Sequence, residues 1–299
     1  MFSNTESSET RKSSPGGDNS NSNIYKNSAV PPKAVLFSPA LTNATKLDTQ
    51  QQQQQNVEKT PPKQDDEIDD DDDEDVFNPY HFIASLSQYT STEERKIWLP
   101  PLPPSNKMQT LTLDLDETLV HCSIEPVAKY DWSFPVSFNG TDYQVYVKKR
   151  PYLDYFLEIV SKSFEVIVFT ASQKVYADVL LDKLDPEKKY ICHRLFREAC
   201  IPVQGNYIKD LKVLGRDLNR TVLVDNSPHA YGFQIDNGIP IESWFDDDND
   251  TELLKLVGFL RQLANVDDVR PIVHDHFKTY QLVQNARLGI AISLSAPPF

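Results

Sequence analysis

Three short runs do most to restrict what this chain can fold into: LTLDLD at 111–116, FEVIVFT at 164–170 and TVLVDN at 221–226. Each is rich in β-branched residues and almost continuously apolar, the pattern of a strand covered on both faces. Helical patterns lie between and after them. RPYLDYFLEIVSKS opens with Pro151 near a first-turn position and sets Tyr152, Phe156, Ile159 and Val160 on one face. KVYADVLLDKLDP repeats Tyr176, Leu180 and Leu184 and stops before Pro186. TELLKLVGFLRQLA follows Asn249, a residue type suited to an N-cap, with Glu252 three residues on. IPIESWF at 239–245 predicts a fourth strand. Strands alternating with helices specify an α/β domain with a mostly parallel sheet. One segment breaks the alternation. WSFPVSFNGTDYQVYV at 132–147 reads as two period-two strands around Asn139 and Gly140, a β-hairpin inserted between the first strand and its crossover helix. Its place predicts a cap or a substrate-facing element.

Composition sets the boundaries. Residues 1–76 carry Ser, Asn, Pro and Gly clusters, the glutamine run Gln50 to Gln55 and the acidic run DDEIDDDDDED from Asp65, which predicts a disordered tail. The folded domain is expected over 77–285, with a C-terminal tail at 286–299. Residues 1–79 hold 15 acidic and 7 basic side chains, so -8 of the chain's net charge of -14 belongs to the tail region. The body remains mildly acidic and has no basic stripe beyond Lys148 to Arg150, which argues against nucleic acid as a partner. No apolar run approaches a membrane-spanning length, so no membrane partner is expected either. Three cysteines and no secretory signal suggest a reducing compartment, nucleus and/or cytosol.

In open parallel sheets the ligand crevice lies at the carboxyl ends of the strands. All three strong strands carry polar chemistry there: Asp114, Asp116 and Thr118; then Thr170 and Ser172; then Asp225 and Asn226. Strand residues at i and i+2 point to one side, so ionised Asp114 and Asp116 would crowd each other without a cation or a shared proton. Magnesium suits the set, because every candidate ligand is an oxygen and no Cys/His cluster offers softer atoms. Phosphoryl transfer asks for this inventory: a carboxylate nucleophile, a second carboxyl to move a proton, a hard cation, and a donor for the equatorial oxygens. Two other readings compete. A calcium loop would use Asp114, Asp116, Thr118 and Glu125, but its glycine position holds Leu119 and a strand flanks it. A plain Asp-x-Asp metal chelate leaves FTAS and VDNSP at the other strand ends unexplained.

DLDETLVH, FTAS, LFRE, GNYIKDL, LGRD, VDNSP and IPIESWF occur in this order and spacing, with NPYHFI before the domain and VDDVRP behind it. Together they resemble the haloacid-dehalogenase-type phosphatases that act on the RNA polymerase II C-terminal domain, most nearly the branch of small phosphatase-like proteins. The resemblance implies a HAD-like Rossmannoid fold and a two-step phosphoserine/phosphothreonine phosphatase. Asp114 would be the nucleophile, and Asp116 the general acid and base. Mg²⁺ would be held by the Asp114 carboxylate, the Asp116 backbone carbonyl and Asn226, with Asp225 adjacent. Thr118, Thr170, Lys209 and Arg197 would meet phosphate oxygens. The partner would be a phosphorylated protein, the polymerase tail being one candidate. Ile124, Val136, Phe138 and Val145 would line an apolar substrate pocket. Gln173 departs from the family, whose pocket is apolar at that point. Against these roles stand plain ones: a surface Lys209 would simply be solvated, Arg197 would pair with Glu198, and Cys122 would be a buried, inert thiol.

Overall fold

The computed structural model describes residues 36–37, 77–86, 95–103 and 108–290. Its centre is a five-stranded parallel sheet. β1 (Gln109–Leu113), β5 (Phe164–Phe169), β6 (His193–Leu195), β9 (Thr221–Asp225) and β10 (Gly238–Pro240) lie in the order β10-β9-β1-β5-β6. Leu111 of β1 pairs with Val166 on one side and Val222 on the other. The three runs singled out in the sequence are thus the three inner strands, and every residue of β1, β5 and β9 is buried. That is why they are continuously apolar rather than alternating. The two edge strands are short. IPIESWF contributes only Ile239 and Pro240 to the pairing, which Gly238 just before it begins, because these three residues alone pair with β9. β6 carried no sequence signal, being three residues long with a half-exposed start.

The inserted hairpin has its expected turn. β3 (Trp132–Phe138) and β4 (Thr141–Lys149) are joined by Asn139 at φ 51° and Gly140 at φ 76°, left-handed conformations that the Asn-Gly pair accepts most readily. A third strand, β2 (Val120–Ser123), completes a separate antiparallel sheet in the order β2-β4-β3. Burial alternates along the hairpin: Phe134, Val136, Val145 and Val147 face inward. A small second hairpin, β7 (Ile201–Val203) and β8 (Asn206–Ile208), lies between β6 and β9.

Among the described residues six α-helices of a turn or more accompany the sheets: α1 (Pro79–Ser85), α2 (Leu153–Val160), α3 (Lys174–Leu184), α4 (Glu252–Leu263), α5 (Arg270–Phe277) and α6 (Thr279–Arg287). The Asn78 side chain accepts from the Tyr80 and His81 amides and so caps α1. α3 buries Tyr176, Leu180 and Leu184 as expected. Three local expectations change. Tyr152 is exposed and precedes α2 in a left-handed conformation, so the buried face starts at Leu153 with Phe156, Leu157 and Val160. Asn249 does not cap α4; the helix starts at Glu252, whose amide donates to the Asp250 side chain. α6 runs to Arg287, past the expected boundary at 285. Most of the expected tail at 1–76, and the chain beyond 290, lie outside the described residues. Leu36 and Phe37 do not, and both are fully buried against the domain.

Candidate active site

The strand β1 ends at Leu113, so both carboxylates sit in the turn that leaves the sheet rather than on the strand itself. Asp114 still keeps pairing distance through its amide, which donates to the Val224 carbonyl at 2.9 Å. Glu117 then takes φ 59°, which turns the chain back toward β2. A fully buried arginine fixes that turn. Arg150 donates to the Thr118 carbonyl at 3.1 Å and the Glu242 carbonyl at 2.9 Å, and its other nitrogens grip Asp250 at 2.8 and 2.7 Å. The sequence offered Arg150 only as part of a small basic run.

The crowding expected between the two carboxylates is resolved by giving them different neighbours. Asp114 faces charge. Its Oδ1 accepts from the Lys209 ammonium at 2.5 Å, and the same ammonium reaches Asp225 Oδ2 at 2.6 Å. Lys209 is not a solvated surface lysine but 2% exposed. Burial acts to lower its pKa, yet Asp114 and Asp225 outweigh that and hold it charged. Asp114 itself is raised by burial, with Lys209 opposing.

Asp116 faces neutral donors instead. Its Oδ2 accepts from Ser172 Oγ at 2.7 Å and Thr170 Oγ1 at 3.2 Å, and its Oδ1 from the Tyr176 hydroxyl at 2.7 Å. Burial first, and then the charge of Asp114, push its pKa up to about 6 against those hydrogen bonds. A carboxyl at that value exchanges protons readily near neutrality, as a general acid and base must.

The remaining site residues divide by which carboxylate they serve. Thr118 Oγ1 donates to Asp114 Oδ2 at 3.1 Å and lies 3.5 Å from Asn226 Oδ1. The Asn226 amide nitrogen donates to Ser243, which keeps its oxygen turned toward Thr118. Asp114 Oδ2, Asn226 Oδ1 and the Thr118 hydroxyl therefore converge on one side, while Lys209 holds the other oxygen of Asp114. This all-oxygen set suits a hard cation such as Mg²⁺. Asp225 is already engaged twice, by Lys209 and by the Ser227 amide at 2.9 Å.

Thr170 serves Asp116, and also accepts the Ser172 amide at 2.9 Å. Arg197 does not pair with Glu198. It donates to the carbonyls of Ala171 and Phe37, both at 2.5 Å, and stacks over the Tyr207 ring at 5.0 Å.

Of the expected substrate pocket, Val136 and Val145 are buried in the main core, and Ile124 and Phe138 pack partly buried against it. Gln173 donates its amide to the Leu36 carbonyl at 3.1 Å. Cys122 is buried, its thiol pushed well up by burial, and it lies 2.8 Å from the Tyr176 hydroxyl. Tyr176 was legible only as a core residue. The one available signal was its position one helical turn after Ser172.

A family model described as NLI interacting factor-like phosphatase matches residues 109–270. CTD small phosphatase-like protein 2 of Dictyostelium discoideum is 57% identical over 70% of this chain and 37% of its own length. CTD small phosphatase-like protein 3 of Caenorhabditis elegans is 51% identical over 64% of this chain and 70% of its own. The human carboxy-terminal domain RNA polymerase II polypeptide A small phosphatase 1 is 49% identical over 54% of this chain and 62% of its own. The chain thus spans little more than a third of the first of these relatives. With the match running from β1 to the start of α5, through each of the carboxylates, hydroxyls and lysine described above, this chain belongs to the family of NLI interacting factor-like phosphatases.

Proposed function

We propose that this chain is a magnesium-dependent protein phosphatase that hydrolyses phosphoserine and phosphothreonine through a phosphoryl group carried on Asp114. One observation carries the reading: two buried carboxylates two residues apart are kept chemically distinct by their partners, Asp114 against an ammonium and Asp116 against three hydroxyls. The one beside the ammonium is fitted to attack and the one among hydroxyls to move a proton.

In the first step an Asp114 oxygen bonds to phosphorus while the bond from phosphorus to the serine oxygen breaks. The departing oxygen takes the proton of Asp116. In the second step water attacks phosphorus, gives its proton back to Asp116, and the Asp114 oxygen leaves with inorganic phosphate released. Ser172, Thr170 and Tyr176 hold Asp116 in place for both transfers. Lys209 keeps Asp114 and Asp225 from repelling the phosphate, and its remaining N–H can turn to a phosphoryl oxygen. Mg²⁺, held by Asp114, Asn226 and the Asp116 carbonyl, would supply charge neutralisation for the incoming phosphate. The substrate is a phosphorylated protein, with the polymerase C-terminal domain a candidate from the names of the relatives.

A dephosphorylation screen on an array of phosphoserine, phosphothreonine and phosphotyrosine peptides tests the class. Preference for the first two, lost on chelation and restored by magnesium but not calcium, is the expected result. Turnover unaffected by chelation, or equal rates on phosphotyrosine, would contradict it.

A further inference from the structure

Leu36 and Phe37 are the only described residues before Phe77, and they belong to an apolar island, AVLFSPAL at 34–41, in an otherwise polar stretch. Their side chains are 1% and 0% exposed. Their main chain is read as well. The Leu36 carbonyl accepts from the Gln173 amide, and the next carbonyl, that of Phe37, accepts from the Arg197 guanidinium. The Phe37 ring meets Tyr176 edge-on at 4.7 Å, and the Tyr176 hydroxyl holds Asp116. Two successive carbonyls bound by fixed donors, with both apolar side chains buried, hold this dipeptide by its main chain as well as by its side chains.

The donors are close to the reacting groups. Gln173 follows Ser172 directly, and Arg197 spans Phe37 and the carbonyl of Ala171, between the two hydroxyl residues that hold Asp116. We infer that this slot is a peptide-docking site flanking the carboxylates, that Leu36–Phe37 fills it in cis, and that a phosphoprotein substrate must displace the pair to bind. Residues 38–76 connect the pair to the domain. Being part of the same chain gives a weak contact a high effective concentration, so a small interface suffices to keep the slot filled. The inference rests on the phosphatase reading for its substrate, but its binding component does not.

The test uses the full chain and its Leu36→Ala/Phe37→Ala variant. A fluorescent peptide of residues 31–42 is titrated against each by anisotropy. The variant should bind it at least tenfold more tightly than the unaltered chain, whose slot is occupied. In the same variant kcat/KM on a phosphoserine peptide should rise severalfold through a lower KM, with aryl phosphate hydrolysis unchanged. Equal or absent binding to both proteins, or an equal fall on both substrates, overturns the proposal and makes the pair a plain part of the core.

If the variant does not fold, hydrogen exchange on the unaltered chain decides. An excess of phosphoserine peptide should speed exchange in the fragment covering 34–41 and at the Gln173 amide; unchanged or slower exchange overturns it. Absence of aryl phosphate turnover in both proteins would instead count against the phosphatase reading, while peptide binding still decides the docking site.

Discussion

Two buried charge clusters sit at opposite ends of the same parallel sheet, and they are built on opposite principles. At the amino ends of the strands, Glu165 of β5 is gripped by Arg216 through two bonds of 2.8 and 2.7 Å and receives the Thr110 hydroxyl of β1 at 3.0 Å. Burial would raise its pKa, but Arg216 outweighs that and holds it below the usual carboxylate range. Arg216 spends its other nitrogen on the carbonyls of Pro100 and Leu214, stitching the segment at 95–103 to the domain. One negative group meets one positive group, in matched fork geometry. At the carboxyl ends, Asp114 and Asp225 share the ammonium of Lys209, and Asp116 beside them meets only hydroxyls. That cluster carries excess negative charge, and burial raises all three carboxyls. The balanced cluster holds the fold together. The unbalanced one stands at a cost in stability, and is suited to a metal cation that would restore the balance.

The largest expected contrast comes from neutralising one carboxylate at each end. Asp114→Asn should reduce aryl phosphate hydrolysis to background, since an amide cannot accept the phosphoryl group, while the melting temperature stays level or rises as Lys209 and Asp225 become a matched pair. Glu165→Gln should do the reverse. It leaves Arg216 buried against a neutral amide, which costs about 3 kcal/mol or roughly 6 to 12 °C, with turnover by the surviving folded enzyme near normal. Kinetics and thermal melts on both variants check the pair. If Asp114→Asn were the strongly destabilised one, the division between the clusters would be wrong.

Next in size is Asp116→Asn, which keeps the hydroxyl cage but cannot carry a proton. A loss of at least about a hundredfold in kcat is expected, the usual scale of general acid and base work, with little change in stability. A near-normal rate would remove Asp116 from the chemistry.

The smallest contrast uses two histidines, one beside each cluster. His229 is pushed down to about 4 by burial and by Lys209, whereas His193 is lowered by burial with Glu165 opposing. A histidine whose folded pKa lies below its unfolded value binds its proton more weakly when folded. Its contribution is therefore intact above about pH 6.5 and is lost as pH falls toward the folded pKa. Replacing His229 with Gln should flatten the fall in stability between pH 7 and 4.5 by about 2 kcal/mol in urea titrations. The same change at His193 should have the same sign and a smaller size. A larger effect at His193 would mean that Glu165 does not offset its burial.

The inner strands, the Asn139–Gly140 turn and the three polar strand ends were legible in the sequence because each is a local pattern. A strand buried on both faces must be apolar throughout, a tight hairpin needs residues that accept positive φ, and a parallel sheet presents its ligands where the strands stop. Asp114, Thr170 and Asp225 could therefore be assigned to one crevice before any coordinates. The division of labour within that crevice depends on approaches between residues far apart in the chain. Lys209 reaches Asp114 across 95 residues, Arg150 reaches Asp250 across 100, and Arg197 reaches Phe37 across 160. A lysine in a loop, a tyrosine on a helix face and an apolar pair in a polar tail look ordinary in sequence, because period and composition report only which side of an element is buried. What each buried polar atom meets there is fixed by how the elements pack, and this packing alone made one aspartate an ion-pair partner and the other a caged acid.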